Sequence, residues 1–290
     1  RPVDDDVEPL VDVNGRLVSD IGEAGVPVGG DARTGPEAPG DRTGPVAVSD
    51  RAVGALMLFP GAFVRVWAYS ESLFLALAAG SLLLARKQRW AGAAVAAVLA
   101  SITRPLGLLL VAPLALEAYR TFRRPTAAWT DKVAAGVGAA APAFGSHAYV
   151  LWVERAWGRF GLPFTVQAEF RGETVDPVTR LVRGVVDLVG TERFGDGLHL
   201  PFALLFGWLL VLAWRRLPRP LAVYATLVVV VSVGSENLNS LERYGLNAFP
   251  LAIALAVWAT TARRERLVLA VGGSGIVARA ALAWLNVYVP

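Results

Sequence analysis

The sequence has no cysteine, a single methionine, only two histidines and, at 18%, few charged residues. Without cysteine there is no disulfide, no thiolate metal site and no thiol nucleophile, and the redox compartment is left unmarked. His147 and His199 stand alone and far apart in the chain, so no histidine metal centre is expected. No Walker motif, Ser-His-Asp order or Cys/His cluster appears. Soluble domains carry about 25% charged residues. The deficit here is matched by 54% hydrophobic residues and a mean hydropathy of +0.48, so the sequence reads as an all-α polytopic integral membrane protein. The lone methionine is Met57 and no cleavable signal opens the chain, which fits a fragment or a mis-started reading.

Residues 1 to about 46 are acidic and rich in Gly and Pro, with Asp4-Asp5-Asp6 near the start and no hydrophobic period. Such a stretch buries too little apolar surface to offset its ordering entropy and is expected to be disordered. The membrane domain is expected over 47–290. The formal charge of +4 understates its basic character, because the acidic residues of the tail offset it. The Arg clusters lie between apolar segments, where inward-facing loops need them, so nucleic acid is not an expected partner.

Ala52 to Val64 is too short to cross a hydrocarbon core of about 30 Å and reads as a partial span. Ser70 to Ala85 reads as a helix ending in Arg86-Lys87-Gln88-Arg89. The apolar stretch 91–118 is interrupted at Thr103-Arg104-Pro105, because proline breaks the ladder and disfavours helix in the residue before it. Two readings are open: a kinked single span, or segments Ala91 to Ile102 and Leu106 to Leu116 folded back on each other, which puts both basic ends on one side. Val133 to Trp152, Pro201 to Trp214, Leu221 to Val233, Phe249 to Thr261 and Leu267 to Val289 read as further membrane segments. In total, about seven or eight embedded helical segments are expected. Val153 to Leu200 is the long outer loop, and within it Val178 to Val189 has the spacing of an amphipathic interface helix. Four Lys/Arg clusters then share the inner face, and the polar residues collect outside.

Four groups on or near that outer face carry the candidate chemistry: Tyr69-Ser70-Glu71, Arg104, Trp157-Gly158-Arg159 and Glu242-Arg243-Tyr244. An arginine fork suits a phosphate, aromatic rings suit sugar faces, and a carboxylate suits a sugar hydroxyl or an attacking alcohol. Each has a structural reading as well. Glu71 is then a helix N-terminal carboxylate with Ser70 as cap, and Arg104 an ion-pair partner, with Glu71 as a candidate. Arg243 and Tyr244 are then interface anchors and Trp157 a belt residue. Gly272-Gly273-Ser274-Gly275, inside an apolar span, reads as close helix packing rather than a phosphate loop.

The ordered blocks Leu58-Phe59-Pro60-Gly61-Ala62-Phe63, Ala68-Tyr69-Ser70-Glu71-Ser72-Leu73-Phe74-Leu75, Ala100-Ser101-Ile102-Thr103-Arg104-Pro105-Leu106-Gly107, Trp157-Gly158-Arg159 and Ser240-Leu241-Glu242-Arg243-Tyr244 with Phe249-Pro250 resemble the PIG-V-type mannosyltransferases. These are GT-C-class membrane glycosyltransferases, the family of the second GPI mannosyltransferase and its bacterial relatives. The resemblance covers about 52–290. It implies a GT-C-like helical bundle with re-entrant or broken helices. The implied reaction is inverting transfer of mannose from a polyprenyl-phosphate donor to a lipid-linked or cell-surface acceptor, on the outer face of a bacterial plasma membrane, without a certain cofactor. Arg104 or Arg243 would neutralise the leaving phosphate, Tyr69, Ser70, Trp157, Arg159 and Tyr244 would bind substrate, and Glu71 would orient or deprotonate the acceptor. Members of the class carry an acidic residue in a Trp-Asp-like context after a first transmembrane helix. In this sequence the acidic tail stands in that place, which leaves three readings: a truncated or frame-shifted N-terminus, a different part for the tail aspartates, or an inactive chain. A transporter or flippase for a polar lipid and a non-catalytic membrane subunit are the competing classes.

Overall fold

Alanine recurs every third or fourth residue along residues 90–103, and that spacing sets how the first half of the molecule packs. The structure is a computed structural model that describes residues 45–62, 70–172, 174–190, 196–236, 238 and 241–285. The expected disordered tail, apart from its last two residues, and Tyr69 lie outside these. All named elements are helical: α1 (Pro45–Met57), α2 (Glu71–Arg86), α3 (Trp90–Thr103), a 3-10 segment (Pro105–Leu110), α4 (Val111–Arg123), α5 (Trp129–Trp157), α6 (Leu162–Arg171) and α7 (Pro177–Val189). A second 3-10 turn (Asp196–His199) leads to α8 (Leu200–Arg216), α9 (Arg219–Val233), α10 (Leu241–Gly245), α11 (Pro250–Trp258) and α12 (Ala262–Trp284). An isolated antiparallel bridge joins Thr174 to Ser235.

Ala93, Ala97 and Ala100 are fully buried along one side of α3. Small side chains let two backbones approach closely. Accordingly α5 lies against α3 through Gly138 and Gly145, where a Cβ would fall 2.7 Å from Trp90 Cε3 and 2.6 Å from the Val98 carbonyl oxygen. The rising order of these contacts makes α3 and α5 parallel.

The helix breaks at Arg104, which is extended at φ −150° and ψ 144°. The following 3-10 segment folds against the end of α3, with Gly107 so close to the Ser101 backbone that no side chain fits. Of the two readings of 91–118, the structure has the reversal. Thr121 Oγ1 donates to Gln88 Oε1 at 2.7 Å, so the end of α4 lies beside the start of α3. The basic residues 86–89 and 120–124 therefore share one end of the molecule. Gln88 itself turns the chain in the left-handed region, at φ 59°.

In the second half, Ala213, Leu217, Ala222 and Ala254 form a small cluster that ties the end of α8 and the start of α9 to α11. Phe59 stacks on Phe206 with ring centroids 5.7 Å apart, joining the turn after α1 to α8. The glycine run in α12 is a packing surface: Cβ atoms at Gly272 and Gly275 would fall 2.7 Å from the Leu58 carbonyl oxygen and from Pro60 Cγ. Two segments among the described residues are long and apolar enough to cross a bilayer, Pro105–Arg123 and Ala262–Trp284. At about 1.5 Å per residue α12 reaches about 34 Å against a hydrocarbon core of about 30 Å. Trp90–Thr103 and Arg219–Val233 are apolar but shorter. Most of α12 is exposed along its length, and its one buried side chain is Arg279.

Candidate functional site: an arginine and carboxylate cluster

Glu71 is the first residue of α2, where the helix dipole favours a carboxylate. It is 2% exposed, and the preceding Ser70 occupies the cap position without making a side-chain capping bond. Glu71 Oε1 lies 2.5 Å from Arg104 Nη1 and 2.7 Å from Arg243 Nε. Arg104 is delivered by the break between α3 and the 3-10 segment, and Arg243 by the short helix α10. Both approaches are charge contacts whose angles fall outside hydrogen-bond geometry, and Glu71 Oε2 meets no hydrogen-bond donor. The Tyr244 ring lies 5.8 Å from the Arg104 guanidinium and 5.6 Å from that of Arg243. Cation-to-ring attraction of this kind holds both forks beside one carboxylate.

Glu242, the residue before Arg243, is fully buried and looks to the other side of α10. Its Oε1 accepts a hydrogen bond from Arg279 Nη2 at 2.5 Å, and its Oε2 lies 2.7 Å from His199 Nδ1. Arg279 also stacks over Phe202 at 4.8 Å. Gly61 packs so closely on Glu242 that a Cβ there would sit 3.1 Å from Glu242 Cβ. Below α10, Tyr224 donates its hydroxyl hydrogen to the Asn247 carbonyl at 3.1 Å. The turn that follows the helix is thereby pinned to α9.

Two carboxylates, three guanidinium groups and an imidazole thus gather on and around α10. Buried charges are tolerated only when paired, and the arginine fork is the side chain best suited to pair with a phosphate or carboxylate. The helices that build the cluster have their basic residues at the opposite end. Glu71 opens α2 and Arg86 closes it, the Arg104 turn precedes α4 and Arg120 and Arg123 end it, and His199 precedes α8, which ends in Arg215 and Arg216. Arg279 stands late in α12, which begins Ala262-Arg263-Arg264. Among the described residues no group of three or more His, Asp or Glu is placed to hold a metal ion.

Of the residues singled out from the sequence, the structure brings together Glu71, Arg104, Arg243 and Tyr244, with Ser70 half-buried beside them. Trp157 and Arg159 stand exposed at the far end of α5, where Trp157 packs edge-on against Trp152 with centroids 5.1 Å apart. The segment expected as an outer loop over 153–200 is largely helical, carrying α6 and α7. His199 and Arg279 did not emerge from sequence reading as site residues. Arg279 left a usable signal, a charge within an otherwise apolar helix. The partnership of His199 with Glu242 left none, since 43 residues separate them.

No protein-family model, curated protein or solved structure matches the chain.

Proposed function

We propose that the chain is a multi-pass membrane glycosyltransferase that moves mannose from a polyprenyl-phosphate donor to a lipid-linked or surface acceptor on the non-cytoplasmic face of a bacterial plasma membrane. The observation that carries this reading is the convergence of Arg104 and Arg243 on one oxygen of the buried Glu71. Two planar forks side by side match the non-bridging oxygens of a phosphate better than the single oxygen they now share. The separation of this cluster from the basic helix ends supports an outward-facing site under the positive-inside rule. The apolar, exposed α12 supports embedding in lipid. The choice of mannose rests on the resemblance of the sequence blocks to the PIG-V-type enzymes.

In this reading the acceptor hydroxyl attacks the anomeric carbon, the bond from that carbon to the phosphate oxygen breaks, and polyprenyl phosphate leaves. Arg104 and Arg243 take up the charge that grows on the leaving phosphate, which is where pre-aimed cations lower a barrier most. Glu71 holds the two guanidinium groups beside each other while the phosphate is absent, and then orients the acceptor hydroxyl and takes its proton as the new bond to the anomeric carbon forms.

Transfer of radiolabelled mannose from polyprenyl-phosphate mannose in membranes tests the proposal. Wild-type chain transfers label, and Arg104→Ala and Arg243→Ala at unchanged protein level lose transfer. Full activity in both variants overturns the assigned site. Movement of the intact lipid across the bilayer without transfer selects the flippase reading, to which the broken helix at Arg104 also lends itself.

A further inference from the structure

The helix α7 is amphipathic in an unusual sense. One of its charged residues, Arg180, and its Gly184 are buried against the protein, whereas Val178, Val182, Val185, Val186 and Val189 are between 54% and 81% exposed. At about 100° per residue the five valines fall in one arc of about 100°. Thr179 and Arg183, both exposed, occupy the adjoining arc. The remaining side faces the protein: Arg180 Nη1 bonds to Asp187 Oδ2 at 3.2 Å, and a Cβ on Gly184 would lie 3.3 Å from Leu200 and 3.7 Å from Leu238. The protein thus claims one sector of the helix and leaves an apolar and a polar sector exposed.

A helix standing in water has no use for a continuous valine face. One crossing the bilayer would not keep Arg183 and Thr179 together on a polar flank. A helix lying in the plane of a lipid interface satisfies both sectors at once. The neighbouring α8 also exposes apolar side chains, Leu204, Trp208 and Val211. Position strengthens the point. Gly184 packs on Leu200, next to His199, and Gly197 packs on the α7 backbone at Leu188.

We infer that α7 lies in the plane of the bilayer interface, with its valine face against the lipid chains just below the headgroups and Arg183 toward water. In that position it holds the His199–Glu242 end of the ion cluster at the depth of lipid phosphates. The inference rests on the membrane embedding in the proposed function and not on its chemistry. The occupant of the valine face is lipid, rather than a second copy of the chain or another protein.

The absence of native cysteine makes the test direct. Val186→Cys, Arg183→Cys and Val277→Cys, each alone in the full chain, are labelled with an environment-sensitive fluorophore and reconstituted in vesicles of phosphatidylcholine and phosphatidylglycerol. Val277 is exposed on α12 and reports the embedding itself. The expected result is a blue-shifted label at position 186, quenched more by a nitroxide near the headgroup than by one deep in the acyl chain. The label at 183 is quenched by aqueous iodide. Iodide quenching at 186, protection there from both quenchers, or stronger quenching by the deep nitroxide each overturns the inference. If the label at 277 also escapes the lipid nitroxides, the membrane reading falls with it. If 277 is quenched and 186 is not, the placement of α7 alone is wrong.

Discussion

Glu71 and Glu242 are both buried carboxylates held by arginine, and both touch the same five-residue helix, yet they are engaged in different ways. Glu242 gives one oxygen to Arg279 and the other to His199. Glu71 presents one oxygen to two guanidinium groups and leaves the second without a donor. The partners differ as well: the side chains of Arg279 and His199 are 7% and 3% exposed, those of Arg104 and Arg243 10% and 16%. A carboxylate with both oxygens engaged fixes architecture. A carboxylate that shares one oxygen between two guanidinium groups is the one an incoming anion replaces most readily.

The largest expected effect comes from breaking the pairing of Glu242. Glu242→Ala takes a carboxylate from both Arg279 and His199, and losing one partner of a buried ion pair costs about 3–5 kcal/mol. Thermal unfolding of the detergent-purified protein should show a large drop. Glu71→Gln should lower stability less, and added polyprenyl phosphate should restore part of that loss in Glu71→Gln but not in Glu242→Gln. Equal losses and equal rescue in the two variants would erase the distinction between the carboxylates.

Next in size is Arg104→Ala. Removing one pre-aimed donor from a developing oxyanion slows a reaction by about 100-fold or more, so mannose transfer should fall by about that factor while the unfolding temperature moves less than in Glu242→Ala. Gly145→Leu sharpens the contrast from a distance. With a Cβ already 2.6 Å from the Val98 carbonyl oxygen, a leucine must separate α3 from α5, and overpacking costs about 1–3 kcal/mol. Stability should fall, while residual transfer per folded molecule stays near wild type.

The smallest effect belongs to Asp176, which caps α7 by accepting a hydrogen bond from the Thr179 amide at 2.9 Å. The side-chain and backbone bonds with Thr179 hold its carboxyl below the ordinary carboxylate value. A lowered native value means that the cap contributes above the ordinary carboxylate range and is lost as pH falls through the lowered value. Asp176→Ala should therefore raise amide exchange at the start of α7 near neutral pH, converge with wild type in strong acid, and leave both carboxylate pairs untouched.

Much of this arrangement is written locally. Pro105 announces the break at Arg104, the basic runs announce the helix ends, and the spacing of Val178, Val182, Val185 and Val189 announces a helix with one apolar face. The glycine run in α12 also reads correctly as packing, because a phosphate loop needs a polar approach that an apolar helix denies. Local pattern could not choose between a kinked span and a reversal at Arg104, since that depends on Thr121 meeting Gln88 across 33 residues. Nor could it pair His199 with Glu242 and Arg279, or send Trp157 and Arg159 away from the arginine cluster to the tip of α5. Those outcomes are set by how helices pack, and pairwise spacing along the chain carries no record of it.

The central claim is that Arg104 and Arg243 form an exchangeable site for a lipid phosphate. Equilibrium binding of radiolabelled polyprenyl phosphate, without sugar, to the purified chain in nanodiscs tests it most directly. Binding should weaken by at least about tenfold, the equivalent of about 1.4 kcal/mol, in both Arg104→Ala and Arg243→Ala. Affinity unchanged in both variants, with the protein folded, would contradict it.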